Sequence, residues 1–275
     1  MIRLIAALEA LLMSLIKARL RQLRSDGHLV GPINFLASMN YRLRSARDYL
    51  NRQKVRRDLS SRHFRDSVDK QVDFAMNAGK QFFRPMQNRW EITELMRRVS
   101  QWQPKRVLEI GTARGGTLFL FCQNAAPDAS LVSIDLPHGI NGGGYPEWKS
   151  SIYKSFAQPG QTVTLLRGNS HDAAMKEELV RRMGPEPFDL IMIDADHRYE
   201  GVKRDFELYA PLVAPDGVIV LHDVLPNHFD PEIRVDRFWN EIKAIYDTEE
   251  IVEDPEQGCM GIGLVRNYHR ASVPA

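Results

Sequence analysis

Cysteine is nearly absent from this chain of 275 residues: Cys122 and Cys259 are the only two, and both sit in apolar surroundings. That excludes a disulfide framework and a Cys-rich zinc site, and it favours a reducing, cytoplasmic setting. Long apolar runs are missing as well. The longest, Leu4 to Ile16, spans 13 residues and contains Glu9, short of the roughly 20 apolar residues that a membrane-spanning helix requires. Arg3 before that run resembles a secretory signal, but Glu9 interrupts it. Lys17, Arg19, Arg21 and Arg24 then follow without a small-residue cleavage site, so the segment is expected to stay on the chain. There is no repeat period and no excess of glycine or proline, which excludes collagen, coiled coil and full disorder.

Net charge is also small, at +2, but it is unevenly spread. Residues 1 to 66 carry 14 Lys and Arg against 5 Asp and Glu, whereas the remainder carries 23 against 30. Leu4, Leu8, Leu11 and Leu15 recur at helical spacing with Arg3, Ser14, Lys17 and Arg21 opposite, an amphipathic helix. Such a helix either docks on an anionic membrane surface or partner helix, or packs on its own domain or a second copy in a dimer. The basic stretch from Arg42 to Arg65 has few aromatics besides Tyr41, Tyr49 and Phe64, so stacking platforms are thin and nucleic acid is disfavoured as a partner. Gly27 to Asn40 is expected to break the first helix from helices running from Tyr41 to Phe83. Residues 1–85 are read as a basic helical extension and residues 86–275 as the second unit.

From Asn88 onward, strands and helices alternate. Strands are expected at 106–110, 131–135, 163–167, 189–194 and 217–222, with two more near 250–253 and 260–265. Helices are expected between them, one of them near 146–156. The fold class is therefore α/β, a doubly wound, seven-stranded, mostly parallel sheet covered on both faces. Ligands of such sheets bind beyond the carboxyl ends of the strands, where strand order reverses.

The residues at those ends carry the chemistry. RVLEIGTARGGT puts Glu109 at the end of the first strand, Gly111 in the turn, and Gly115 and Gly116 at a helix start. Glycines there permit positive φ and close backbone approach to a ligand. The spacing G-x-x-x-G-G is neither a dinucleotide fingerprint nor a phosphate loop. Together with VSIDLP it resembles motif I and its acidic partner in class I S-adenosylmethionine-dependent methyltransferases. That resemblance covers roughly residues 86 to 266. It implies that S-adenosyl-L-methionine is the cofactor, that Glu109, Gly111, Thr112 and Gly115 line it with Asp194, and that Asp135 holds its ribose. Asn169 and Ser170 in GNSHD stand where the family recognises adenine, and Ser170 can equally cap the next helix.

IDADHRYEGVKRDFELYAPLVAPDGVIVLHDV further resembles the metal-dependent O-methyltransferases that act on sugars of macrolide-type metabolites. The resemblance implies Asp194 and Asp223 as ligands of Mg2+ or another divalent metal, His222 in the place of a usual acidic ligand, and His197 as general base. Imidazole suits zinc, iron, nickel or copper better than magnesium. The metal is altered, bound weakly, or absent, with Asp223 in the last case orienting His222 through a hydrogen bond. His197 is alternatively a helix-start histidine bonded to nearby backbone. The long loop LPHGINGGGYPEW has the composition of a lid or a flexible linker, and its Tyr145 and Trp148 either contact the acceptor or pack. The function expected is O-methylation of a sugar, a polyhydroxyl metabolite or a glycolipid precursor by a homo-oligomer that is cytoplasmic or peripheral to a membrane. A non-catalytic docking protein and a nucleic-acid methyltransferase are the alternatives.

Overall fold

The computed structural model describes residues 30–61, 63–78, 82–137 and 144–270, with side chains from residue 45 to residue 269. The Leu4 to Ile16 helix and most of the glycine-rich loop, residues 138–143, lie outside the described residues.

Helix α1, Val30–Ser61, is followed by α2, Val68–Asn77, and α3, Arg89–Trp102. The break expected at Gly27 to Asn40 is not found from Val30 on, where the chain is helical through Gly31 and Pro32. Pro32 lies within the first described turn of the helix. Ser67 caps α2 by accepting from the Lys70 amide, and Asn88 caps α3 by accepting from the Trp90 amide.

Seven strands then form one sheet: β1 Arg106–Ile110, β2 Ser130–Asp135, β3 Thr162–Arg167, β4 Phe188–Ile193, β5 Val213–His222, β6 Asp247–Ile251 and β7 Ile262–Arg266. Their spatial order is β3-β2-β1-β4-β5-β7-β6, with β7 antiparallel to both neighbours and the other pairs parallel. Between them stand α4 Gly116–Asn124, a 3₁₀ turn Glu147–Lys149 leading into the short α5 Ser150–Lys154, α6 Ala173–Met183, α7 Tyr199–Tyr209 and α8 Val235–Lys243. The helix expected at 146–156 is thus a 3₁₀ turn of three residues followed by five residues of α-helix. The strand expected at 250–253 lies earlier, because β6 is a polar edge strand whose DTEEI carries little alternation.

Alternation along the central strands divides the core in two. Val107, Leu131, Leu190, Met192, Val218 and Val220 pack with α2, α3, α4 and α5 on one face. Leu108, Ile110, Val132, Ile191, Ile219 and Leu221 pack with α6, α7 and α8 on the other. Strand order reverses between β1 and β4, with Gly111 N bonded to the Ile134 carbonyl and Asp194 N to that of Ile110. The crevice above those strand ends is the site expected of a doubly wound sheet.

Candidate active site

Two residues along from an inward strand position, a side chain returns to the same face. Glu109 follows Val107, Ser133 follows Leu131, Asp194 follows Met192 and His222 follows Val220, so four polar groups stand over the first core layer at adjacent carboxyl ends.

The β1 and β2 ends form the first half of the site. Glu109 is fully buried; one carboxyl oxygen accepts from Ser133 Oγ at 2.7 Å, and Oε1 has no hydrogen-bond partner. Burial, with Asp135 and Asp194 nearby, pushes its carboxyl up to about 8. Gly111 holds φ +103°, and a Cβ there would overlap the Asp194 carbonyl. Gly115 caps α4 at φ +79°, with the Tyr153 ring where a side chain would stand, 2.8 Å from the Cβ position. Asp135 Oδ2 accepts from the Ala113 amide at 2.6 Å and the Gly144 amide at 3.2 Å, which ties the β2 end to the glycine loop. Burial raises Asp135 to about 6 against those amides. Thr112 is buried with its hydroxyl on Ser133.

Asn169 lies beyond β3 with its side chain in a local turn, accepting from the His171 amide at 3.1 Å. Ser170 is buried and its carbonyl accepts from Tyr209 Oη. It does not cap α6, whose N-cap residue is Asp172.

The second half joins the ends of β4 and β5. His197 Nδ1 lies 2.6 Å from Asp223 Oδ2. A carboxylate only accepts, so Nδ1 carries the hydrogen and Nε2 is left for a ligand. Asp223 takes φ +63°, which turns its side chain out of the strand alternation and toward His197. His222 Nδ1 lies 3.1 Å from Asp194 Oδ1 and 3.5 Å from Asp223 Oδ2, while His222 Nε2 is buried without a hydrogen-bond partner. Burial opposes charge on His222, yet Asp223 and Asp194 outweigh it and lift the ring to about 9. Burial also opposes charge on His197, and the bond to Asp223 lifts it above the ordinary value. Asp223, which burial alone would raise, is brought down to about 2 by the two histidines.

Two contributors carry no motif signal. Gln87, buried before α3, donates from Nε2 to Asp194 Oδ2 at 2.6 Å, and its Oε1 accepts from Thr117 at 3.2 Å. Glu91, buried in the first turn of α3, accepts from Gln257 Nε2 and the Gly261 amide. Only the tertiary fold brings them in, since Gln87 and Asp194 are 107 residues apart. Tyr145 and Trp148 pack: Tyr145 is buried against Tyr153, and Trp148 lies edge-on to Tyr49 of α1 with ring centroids 5.4 Å apart.

Asp194, His197 and Asp223 each offer a ligand atom within 4.8 Å of the others, the one such group among the described residues that includes these strand ends; His222 is not in it. Among the described residues, no helix is long and apolar enough to cross a membrane.

Residues 108–224, the span from β1 to the β5 end, match a family described as a methyltransferase domain. That stretch, less than half of the chain, is similar to a methyltransferase domain. The domain's sheet matches the O-methyltransferase TomG of Streptomyces achromogenes, with a TM-score of 0.52, 20% identity, and 74% of this chain and 90% of that one covered. By sequence the chain is 33% identical over 126 residues to the uncharacterized protein R132 of Acanthamoeba polyphaga mimivirus, covering 46% of this chain and 54% of R132. It is 29% identical over 104 residues to mycinamicin VI 2''-O-methyltransferase of Micromonospora griseorubida, covering 31% of this chain and 26% of that enzyme. The chain thus spans about half or less of the length of these relatives.

Proposed function

We propose that the protein transfers a methyl group from S-adenosylmethionine to a hydroxyl of a small polyhydroxyl acceptor, with His197 as general base. The single observation that carries this reading is the Asp223–His197 pair, 2.6 Å apart, above the strand ends that also hold Glu109 and Asp135. In this reading Asp135 accepts from the ribose hydroxyls, Gly111 and Gly115 let the cofactor lie close to the backbone, and Glu109 provides a carboxyl beside the sulfonium. Asn169 and Ser170 stand at the adenine end. The acceptor class rests on the resemblance of the β4–β5 stretch to sugar O-methyltransferases, and the mycinamicin enzyme's name places its methyl group on the 2''-oxygen of mycinamicin VI.

Asp223 fixes the His197 tautomer and stabilises the imidazolium that forms. The acceptor hydroxyl gives its proton to Nε2 as its oxygen forms a bond to the methyl carbon. S-adenosylmethionine, when bound, would supply the methyl group on a sulfonium whose sulfur would keep the electron pair of the broken carbon–sulfur bond and leave as a neutral thioether. Positioning supplies most of the acceleration.

The donor set does not fit magnesium. Magnesium asks for hard oxygens, and here both Asp194 oxygens already face Gln87 and His222 while Asp223 is committed to His197. The grouping of Asp194, His197 and Asp223 favours a second reading, a borderline ion such as zinc that takes His197 as a ligand.

The test is calorimetric titration of the full chain with S-adenosylmethionine against NAD, followed by an acceptor screen with and without a chelator. Saturable binding of S-adenosylmethionine alone, and methylation unchanged by the chelator, are the expected results. No cofactor binding overturns the proposal, and activity lost to the chelator and restored by zinc replaces it with the second reading.

A further inference from the structure

A cleft of about 600 Å³ opens beside the candidate active site, between the segment leading into α3, the glycine loop after β1 and the loop between β6 and β7. Gln87 belongs to both places: it lines the cleft, and it donates to Asp194 at the chemical centre. A molecule with one hydroxyl at His197 therefore has this cleft as room for the rest of its body.

The cleft's charge is one-sided. Arg84, Arg89 and Arg114 line it against a single carboxylate, Glu253. Arg89 is engaged by Asp73, and Glu253 accepts from Asn88 Nδ2 at 2.9 Å. Arg84 is exposed and makes no ion pair among the described residues. Arg114 comes from the glycine loop, which fixes its position relative to the cofactor end of the site. Met86 and Met260 add polarizable apolar surface between these charges. A planar guanidinium recognises a carboxylate or phosphate through two parallel N–H bonds, which a neutral sugar cannot exploit.

Resting on the methyl-transfer reading above, we infer that this cleft holds the acceptor, and that the acceptor carries an anionic group, a carboxylate or a phosphate, bound by Arg84 while its hydroxyl meets His197. The substrate class is thereby narrowed from polyhydroxyl compounds to sugar acids and sugar phosphates. The competing use of the same charges is to hold the carboxylate of the cofactor's own methionine part, and the experiment separates the two.

The full chain, saturated with S-adenosylhomocysteine, is titrated with D-glucuronate, D-glucose 6-phosphate and D-glucose. At least one anion is expected to bind about tenfold or more tightly than glucose, and to weaken as salt is raised. Which of the two binds better tells carboxylate from phosphate. Arg84→Gln is expected to weaken the anion by about tenfold and Arg84→Lys by less, because lysine keeps the charge and loses the fork. Affinity for S-adenosylmethionine stays within twofold, roughly, in both variants. Equal binding of glucose and the anions overturns the inference. So does anion affinity that Arg84→Gln leaves unchanged, or the absence of anion binding. If Arg84→Gln weakens S-adenosylmethionine instead, the guanidinium serves the cofactor. Should the wild-type chain bind no S-adenosylmethionine at all, the methyl-transfer reading fails and takes this inference with it, whereas cofactor binding without a preference for the anions sinks this inference alone. The wild-type salt dependence keeps the inference testable even if a variant fails to fold.

Discussion

Removing the carboxylate of Asp48 on α1 should strand a buried charge. Lys149 Nζ lies 2.7 Å from Asp48 Oδ2, and the two side chains retain only 5% and 9% of their surface. Its other partners are weaker, the Phe82 carbonyl at 3.2 Å and the face of the Phe82 ring at 4.2 Å. Burial already lowers the Lys149 pKa, with Asp48 pulling the other way. Asp48→Ala leaves the ammonium with a neutral carbonyl and an aromatic face, and breaking such a pair costs about 3–5 kcal/mol. Against a total stability of about 5–15 kcal/mol that is a large fraction. At about 2–4 °C per kcal/mol for a chain of this size, the melting temperature should fall by roughly 10 °C.

Thermal and urea unfolding followed by circular dichroism read this directly. The sign with pH is a second check. In the variant the folded state holds Lys149 more weakly protonated than the unfolded state does. The unfolded chain therefore binds more protons, and stability rises with pH as it approaches the ordinary lysine value near 10.5. The wild-type and variant curves should converge on the alkaline side. Replacing both partners with apolar residues, Asp48→Leu with Lys149→Met, should recover stability to within about 1 kcal/mol of wild type. A loss below about 1 kcal/mol for Asp48→Ala, or a double variant as unstable as the single one, would refute the view that a buried pair fastens α1 beside the loop after β2.

The raised Glu109 carboxyl predicts that S-adenosylmethionine binds more tightly as pH climbs toward 8, because the sulfonium favours the ionised form, while neutral S-adenosylhomocysteine shows no such slope; parallel slopes for the two ligands sink the assignment. In the unliganded protein the same group binds more protons folded than unfolded between its ordinary 4.5 and about 8, so stability should decline across that window by up to about 1.4 kcal/mol per pH unit, and Glu109→Gln should flatten the decline. Asp223→Asn keeps a residue that tolerates the positive φ but loses the charge on His197, so methyl transfer should drop by about 10²–10⁴ with cofactor affinity unchanged; full activity removes the pair from catalysis. Gly111→Ala, placed against the Asp194 carbonyl at φ +103°, should destabilise the chain by roughly 1–3 kcal/mol and abolish cofactor binding, read by melting and titration.

The parts of the site legible in the sequence are those that strand periodicity controls. VLEI, LVSID, LIMID and VIVLHD each place a polar group two residues past an inward apolar one, so Glu109, Ser133, Asp194 and His222 fall on one face with no knowledge of tertiary contacts. Asp223 obeys a different rule. Adjacent to His222, it belongs by alternation on the opposite face, and only its positive φ brings it round to His197, a partner different from the His222 that adjacency suggested. Gln87 and Glu91 were beyond reach for a related reason: each stands at a helix start, where polar residues are ordinary caps, and their contacts with Asp194 and Gly261 span more than a hundred residues of sequence. The same contrast explains the helices and edges. Gly31 and Pro32 lie inside the described α1 and do not stop it, and β6, with polar residues at four of its five positions, has no apolar face from which to read its register. What the sequence withholds is therefore the pairing of charges across elements, which here joins Asp223 to His197 and Asp194 to His222.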